Sequence, residues 1–367
     1  MMLQDRQNHW ESLLGLTPTR TAPPLPPQAI SGQTVLITGA GGSIGATLAH
    51  RIAAHTPRRI VLLDAAEQAL YRIDRDLAAP HTAALGSVCD RALLDELFER
   101  HHPQIILHAA ACKHVPLMEF NPFAALRNNA IGTFILAQSA AKHRVAQMLM
   151  VSTDKAVEPA SIMGASKRIA ELAILAMPSN ATLFKAVRLG NVLASEGSVL
   201  PLFQVQIDRG QPLSVTHPEA SRYFLTMSYA AQLLLLALSD EFPRGILVPQ
   251  LGEPIRIEEI ARRMLASAKG SHQIVFTGLR PGDKLKEKLV ADHETILSGS
   301  NSPLQSIHSP SPQLGELQSA IGNLEESIQQ RNLPQLLRIV SQLVPDYQPS
   351  AVIHSALDEQ AAARSNP

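Results

Sequence analysis

The sequence predicts an α/β fold: a Rossmann-type, doubly wound parallel sheet with helices on both faces, and a smaller C-terminal substrate-binding lobe. Three observations predict it. Short apolar runs of strand length alternate with helical segments from Thr34 to about residue 190. The runs, such as TVLIT and RIVLLD, are apolar at consecutive positions, as strands buried on both faces are. The first strand–helix junction, TGAGGSIG, is glycine-rich, as a dinucleotide-binding turn is.

Residues 1–30 read as an arm, with a short helix over His9–Leu14 and then TPTRTAPPLPP, which breaks helix and favours extended chain. Strand Thr34–Thr38 ends at Gly39, and a helix follows from Ser43. Next come strand Arg59–Asp64, helix Glu67–Leu77, strand Ala83–Val88, helix Arg91–His102 and strand Ile105–Ala109. A long helix spans Pro122–His143, then strand Met148–Ser152, helix Met163–Met177 and strand Thr182–Leu189. This alternation is the pattern of a parallel sheet covered on both faces. After Gly190 the pattern loosens into the lobe, residues 191–297, with helices at Tyr229–Ser239 and Ile257–Ser267. The Ser/Pro-rich segment Ser298–Leu314 reads as a loop, two amphipathic helices cover Leu314–Gln330 and Pro334–Val344, and the last ~15 residues have a disordered composition. The expected division is therefore an arm (1–30), a cofactor domain with the catalytic segment (31–190), the lobe (191–297) and C-terminal helices with a tail (298–367).

The 367 residues carry 32 basic and 32 acidic side chains, so no charge bias points to nucleic acid or an acidic membrane. Cys89 and Cys112 match neither a zinc nor a redox spacing, and the fourteen histidines include no H-E-x-x-H, so no metal is expected. A reducing cytoplasm fits two unpatterned cysteines. No signal peptide is visible, and the most apolar stretch, Ala230–Leu238, falls far short of the ~20 residues that span a bilayer. No membrane insertion is expected.

Gly39, Gly42 and Gly45 stand at G-x-x-G-x-x-G spacing between a strand and a helix, the context this motif requires. Glycines admit a pyrophosphate against the backbone, and the helix N-terminus at Ser43 and Ile44 offers N–H groups and positive dipole. Asp64 ends the second strand nineteen residues after Gly45. A carboxylate there accepts from adenosine ribose hydroxyls and repels a 2′-phosphate, which favours NAD over NADP. Asp64 also suits the start of the following helix. Val88 and Ala109, at the ends of the third and fourth strands, complete the expected cofactor contacts.

The segment VSTDKAVEPASIMGASKR, Val151–Arg168, resembles the active-site segment of a short-chain dehydrogenase/reductase, with Met163-x-x-x-Lys167 where such enzymes carry Tyr-x-x-x-Lys. A thioether cannot exchange a proton, so the proton chemistry must lie elsewhere. With KHVPLME, RNNAIGT, RLGNVLASEGSVLP, SRYFLTM and GLRPGDKL, the chain from about Trp10 to about Leu289 resembles the extended short-chain dehydrogenase/reductases. Within them it is most similar to the bacterial polysaccharide-biosynthesis UDP-N-acetylglucosamine 4,6-dehydratases, in a soluble form without their membrane helices. In that family Met commonly replaces the tyrosine. Three positions depart from the usual pattern: Ser87, Cys112 and Glu196.

The resemblance implies a 4,6-dehydratase acting on a UDP-sugar, and a homo-oligomer is expected, as in the family. It implies Asp154 as the acid at the C6 hydroxyl and Lys155 as the base at C5, with Thr153 bonding the C4 oxygen. An isolated Asp–Lys dipeptide would ordinarily be a surface pair, and the roles require burial to raise Asp154 and lower Lys155. Lys167, one helical turn beyond Met163, would bind the nicotinamide ribose. The C4 hydroxyl proton would leave through a relay of Thr153 with Asp154, Lys167 or water. Lys113, His114 and Asn191 would line the sugar or diphosphate, and Arg222 and Arg280 would bind the diphosphate, for which the planar guanidinium fork is suited. Asn128 would brace a strand–helix junction. A UDP-sugar 4-epimerase shares fold and cofactor but needs no acid–base pair at C5–C6, and a catalytically inactive NAD-binding module would also tolerate Met163.

Overall fold

A computed structural model describes Trp10 and residues 29–365, apart from 179–180, 194, 196, 240–241, 243, 269–271 and 298–301. The chain begins with β1 (Thr34–Thr38), α1 (Ser43–Ala53), β2 (Arg59–Asp64), α2 (Glu67–Asp76), β3 (His81–Leu85) and α3 (Arg91–His101). It continues with β4 (Ile105–His108), α4 (Gly132–Lys142), β5 (Gln147–Thr153), α5 (Ile162–Ala176) and β6 (Leu183–Leu189). These strands pair in parallel in the order β6-β5-β4-β1-β2-β3. The order reverses between β1 and β4, so the chain leaves a crevice beyond the carboxyl ends of those strands. Leu36 and Val61 face one packed layer with Leu94 of α3, Phe134 of α4 and Ile169 of α5. Ile37 and Leu62 face the other layer with Leu48 of α1 and Leu70 of α2. Burial on both faces is why the strands are apolar at consecutive positions.

Beyond β6 come α6 (Val199–Asp208), α7 (Met227–Leu236), β7 (Gly245–Pro249), α8 (Ile257–Ser267), β8 (Thr295–Ile296) and β9 (Leu304–His308). β7 extends the sheet parallel to β6, and β9 joins β7 antiparallel, with β8 outside it. Helix α6 and α8 enclose a separate small core of Leu200, Phe203, Leu213, Val215, Phe224 and Ile260, into which Trp10 also packs. Helices α9 (Leu314–Gln329), α10 (Leu333–Leu343) and α11 (Ala351–Ser365) close the chain. Leu317 of α9 and Val340 of α10 are buried against the layer that holds α5.

Several expectations change. The third strand lies at His81–Leu85, so Val88 falls after it. The region read as a loop holds β9, a strand near the sheet's edge that only two partners define. Helix α6 has no counterpart in the sequence reading. The terminal residues expected to be disordered form α11, where an Ala-rich run favours helix and Ile353 is fully buried. The long helix contains a π-helical turn at Leu126–Ile131. That turn decides which asparagine braces the fold. Asn129, not Asn128, is fully buried, accepting from Cys112 N (2.8 Å) and donating to Cys112 O (2.9 Å) and Ser166 Oγ (2.9 Å). Asn128 only donates to Asn129.

Candidate active site

A cleft of about 400 Å3 opens along the carboxyl ends of β1, β4, β5 and β6. At one end the glycine turn is built so that side chains cannot enter. Gly39 has φ +65°, and a Cβ there would sit 2.6 Å from Ala110 N. A Cβ on Gly45 would sit 2.1 Å from Gly39 O, and one on Gly41 would sit 2.4 Å from Ala69 C. Gly42 starts α1 with no side-chain cap, and Gly42, Ser43, Ile44 and Gly45 line the cleft beside Gly39 and Ala109. Close backbone approach beside a helix N-terminus fits a dinucleotide pyrophosphate. Asp64 accepts from Gly41 N (2.8 Å) and Ala66 N (2.9 Å), tying the turn to β2 and leaving the helix start to Ala66. Neither Asp64 nor the buried Val88 belongs to the main cleft lining.

The catalytic segment begins where β5 ends. Asp154–Ala156 form a single 3-10 turn, and Ser161 caps α5 by accepting from Gly164 N (3.0 Å). Gly164 is required here, because a Cβ would sit 2.3 Å from Lys155 O. Asp154 is fully buried under the cleft. Its Oδ1 accepts from Thr153 Oγ1 (3.0 Å) and from Lys155 Nζ (2.9 Å), while its Oδ2 has no hydrogen-bond partner. Lys155 Nζ also donates to Asn191 Oδ1 (3.1 Å) and lies 3.8 Å from Glu287 Oε1. Thr153, Lys155, Met163, Lys167 and Asn191 line the cleft together.

The two lysines are tuned in opposite directions. Burial by itself would lower Lys155, but the Asp154 and Glu287 carboxylates outweigh it and hold its ammonium above the usual lysine range. This corrects the expectation that burial frees Lys155 as an amine: the resting state is an ion pair. Lys167 donates to Val151 O (2.8 Å) and is pushed down to about 8 by burial, against a smaller opposing pull from Glu171.

On the lobe side, Lys113 and His114 line the cleft, as does Cys112. Gly197, at φ +74°, closes over His114, and a Cβ there would sit 2.5 Å from His114 Cε1. Arg222 lines the cleft, but its guanidinium donates to Ser221 O (2.7 Å), Leu285 O (3.1 Å) and Lys284 O (2.7 Å), so most of its donors are already spent. Arg280 stands exposed at the rim, paired with Asp283 at 2.8 Å. Glu196 lies outside the described residues.

Sequence reasoning missed two groups around this floor. One is Glu287, described above. The other is a buried charge network behind β5. Ser152 Oγ donates to Glu171 Oε1 (2.7 Å), and Arg188 donates to both Glu171 (2.8 Å) and Glu294 (2.6 and 2.8 Å). Arg168 adds a bond to Glu171 (2.9 Å) and one to Ser309 Oγ (2.8 Å). Charged residues inside a β-strand and an apolar helix were the available signal, since such groups are buried only when paired.

Residues 35–307 match a family described as "Polysaccharide biosynthesis protein". The capsular polysaccharide biosynthesis protein CapD of Staphylococcus aureus is 39% identical over 295 residues, 77% of this chain and 49% of CapD. The chain thus spans about half the length of that relative. A UDP-glucose 4-epimerase of Rickettsia rickettsii is 31% identical over 275 residues, 71% of this chain and 79% of the epimerase. Among solved structures, Pen from Bacillus thuringiensis superposes with a TM-score of 0.63 at 28% identity, covering 71% of this chain and 83% of Pen. The UDP-glucose 4-epimerase of Thermus thermophilus, solved with NAD, shares the fold with a TM-score of 0.59 at 19% identity, covering 68% of this chain and 88% of its own. Among the described residues no helix is long and apolar enough to cross a membrane. From a match that spans the whole sheet and the cleft, we conclude that this chain belongs to the polysaccharide biosynthesis protein family.

Proposed function

We propose that the chain is an NAD-dependent nucleotide-sugar 4,6-dehydratase that converts UDP-N-acetylglucosamine or a related UDP-N-acetylhexosamine to the UDP-4-keto-6-deoxy sugar, with C5 configuration retained. The observation that carries this reading is the Thr153–Asp154–Lys155 constellation, with Asp154 buried between two residues that line the cleft. A carboxylate with one bonded and one unbonded oxygen sits between a hydroxyl and an amine.

The glycine turn and α1 would hold the cofactor pyrophosphate, Asp64 the adenosine ribose and Lys167 the nicotinamide ribose. Bound there, NAD would supply the hydride acceptor for sugar C4 and the hydride donor for C6. The chain's own residues move the protons. The C4 hydroxyl proton passes to Thr153 Oγ1 while the Thr153 proton passes to Asp154 Oδ1. Asp154 is then the acid that protonates the leaving C6 hydroxyl. Its neutralisation also removes one of the two carboxylates that hold the Lys155 proton, so burial now favours the amine. Lys155 loses that proton to the open cleft, takes the C5 proton and later returns a proton to C5 from the same face. Met163 fills the tyrosine's place as an apolar wall. We assign residues 31–190 to the cofactor and 191–297 to the sugar nucleotide, with Lys113, His114, Asn191 and the Arg280 rim on the substrate side. Arg222 acts mainly by shaping that side, given its spent donors.

A 4-epimerase is the second reading, favoured by the 31% identity to the rickettsial enzyme. Incubation with UDP-N-acetylglucosamine in deuterated solvent separates the two. Loss of one water with deuterium at C5 is expected, whereas a mass-neutral isomer would replace the dehydratase by the epimerase. Bound NAD without turnover of this substrate or related UDP-sugars would support an inactive module.

A further inference from the structure

Lys155 has a second carboxylate beside it whose own part in the reaction has no counterpart among the residues assigned above. Glu287 is almost completely buried, its side chain 2% exposed. Its Oε1 lies 3.8 Å from Lys155 Nζ and 3.8 Å from Arg222 Nε. Its Oε2 lies 2.9 Å from Lys284 Nζ, an ion pair outside hydrogen-bond geometry. The surrounding strand of chain is fixed to the catalytic turn. Lys284 Nζ donates to Val157 O (2.8 Å), Lys288 pairs with Glu158 (3.0 Å), and Arg188 donates to Leu289 O (2.9 Å).

We propose that Glu287 is a positioning residue that controls when Lys155 acts as a base, by holding the Lys155 ammonium until Asp154 has been protonated. The proposal rests on the dehydratase reading for the purpose of the switch, but not for the coupling itself. The charged groups that face Lys155 are Asp154, Glu287 and Arg222. Two carboxylates therefore hold one buried amine, with Arg222 and Lys284 as the other cations on Glu287. When Asp154 takes a proton, Glu287 alone faces three cations. Arg222 does not give up its proton in a protein, and Lys284 is anchored on backbone carbonyls. Lys155, whose nearest carboxylate is the one neutralised and whose Glu287 partner stands 3.8 Å away, is where the proton is lost. Glu287 thus sets the rising limb of the pH dependence of turnover, and a merely structural counter-ion for Arg222 and Lys284 would not.

The test is competitive acetylation of the full chain with acetic anhydride across pH, with each lysine followed by mass spectrometry. Exposed Lys142, paired with Asp95, serves as the internal reference. In Glu287→Gln, Lys155 should be labelled about tenfold faster than in the wild type at a fixed pH below its midpoint, the effect of removing one close opposite charge. The rising limb of turnover should move to lower pH with it, and Glu287→Asp should restore the wild-type profile. Unchanged Lys155 labelling in Glu287→Gln overturns the proposal. If that variant does not fold, Lys284→Gln, which strips a cation from the same carboxylate, should slow Lys155 labelling, and no change there also overturns it. A wild-type protein that releases no water while Glu287→Gln still shifts the labelling removes the dehydratase reading and supports the charge coupling.

Discussion

Two clusters of buried charge lie back to back across β5. Behind it, Glu171 and Glu294 meet Arg168 and Arg188 in a sealed network, where both carboxylates accept two or more bonds and Ser152 and Ser309 fill further positions. In front of it, Asp154 and Glu287 meet Lys155 in a cluster left incomplete. Asp154 Oδ2 has no partner, Lys155 is 22% exposed to the cleft, and the Lys155–Glu287 pair stays 3.8 Å apart. Both clusters set buried carboxylates against cations, two arginines behind the strand and a cleft-facing lysine in front of it. What differs is completion. A buried carboxylate whose bonds are complete holds structure, whereas one with an oxygen left unbonded keeps the capacity to take a proton.

That contrast can be broken at either end. The largest effect is expected behind β5. Arg188→Met strips Glu171 and Glu294 of the guanidinium they share, leaving Arg168 as the cation beside them, and should cost about 3–5 kcal/mol in denaturant unfolding; a loss below about 1 kcal/mol would show that the sealed network does not hold the fold. In front of β5, Asp154→Asn should lower dehydration about 10²- to 10⁴-fold, the range of general acid catalysis, while the unfolding transition moves far less than in Arg188→Met. Equal damage to stability and rate would erase the distinction between the clusters. Thr153→Val removes the hydroxyl of the relay and should slow reduction of the bound cofactor in a single turnover about 10- to 100-fold; an unchanged rate would take Thr153 out of the proton path. The smallest effect concerns Lys167, which sits between the clusters. Its ammonium predominates below about 8 and its amine above, because burial pushes it down. NAD affinity should therefore weaken several-fold as pH rises past about 8, and Lys167→Met should flatten that dependence in a titration of NAD binding.

Much of the site in front of β5 was legible in the sequence. TGAGGSIG, Thr153-Asp154-Lys155 and the Met163–Lys167 spacing are local patterns, and local patterns survive without coordinates because strand–turn–helix geometry is fixed within a few residues. The cluster behind β5 was not legible. Glu294 and Ser309 reach Arg188 and Arg168 across more than 100 residues of chain, as Arg188–Glu294 does over 106. Glu287 reaches Lys155 in the same way. β9 was hidden because its five residues, LQSIH, lie among Ser and Pro and alternate only weakly. Asn129 was missed by one position because the π-helical turn shifts the face of the helix, and no local rule announces that shift.

By itself, the sequence determined the alternating parallel sheet, the glycine turn and the Thr153-Asp154-Lys155 turn beyond β5, because each follows from short-range periodicity and backbone freedom. Only the tertiary structure decided the protonation of Lys155. Burial alone would push it toward the amine, against the pull of the adjacent Asp154. A carboxylate brought in from position 287, together with Asp154, makes it an ammonium, because at a few ångströms and out of water the field of a second charge outweighs the cost of burial.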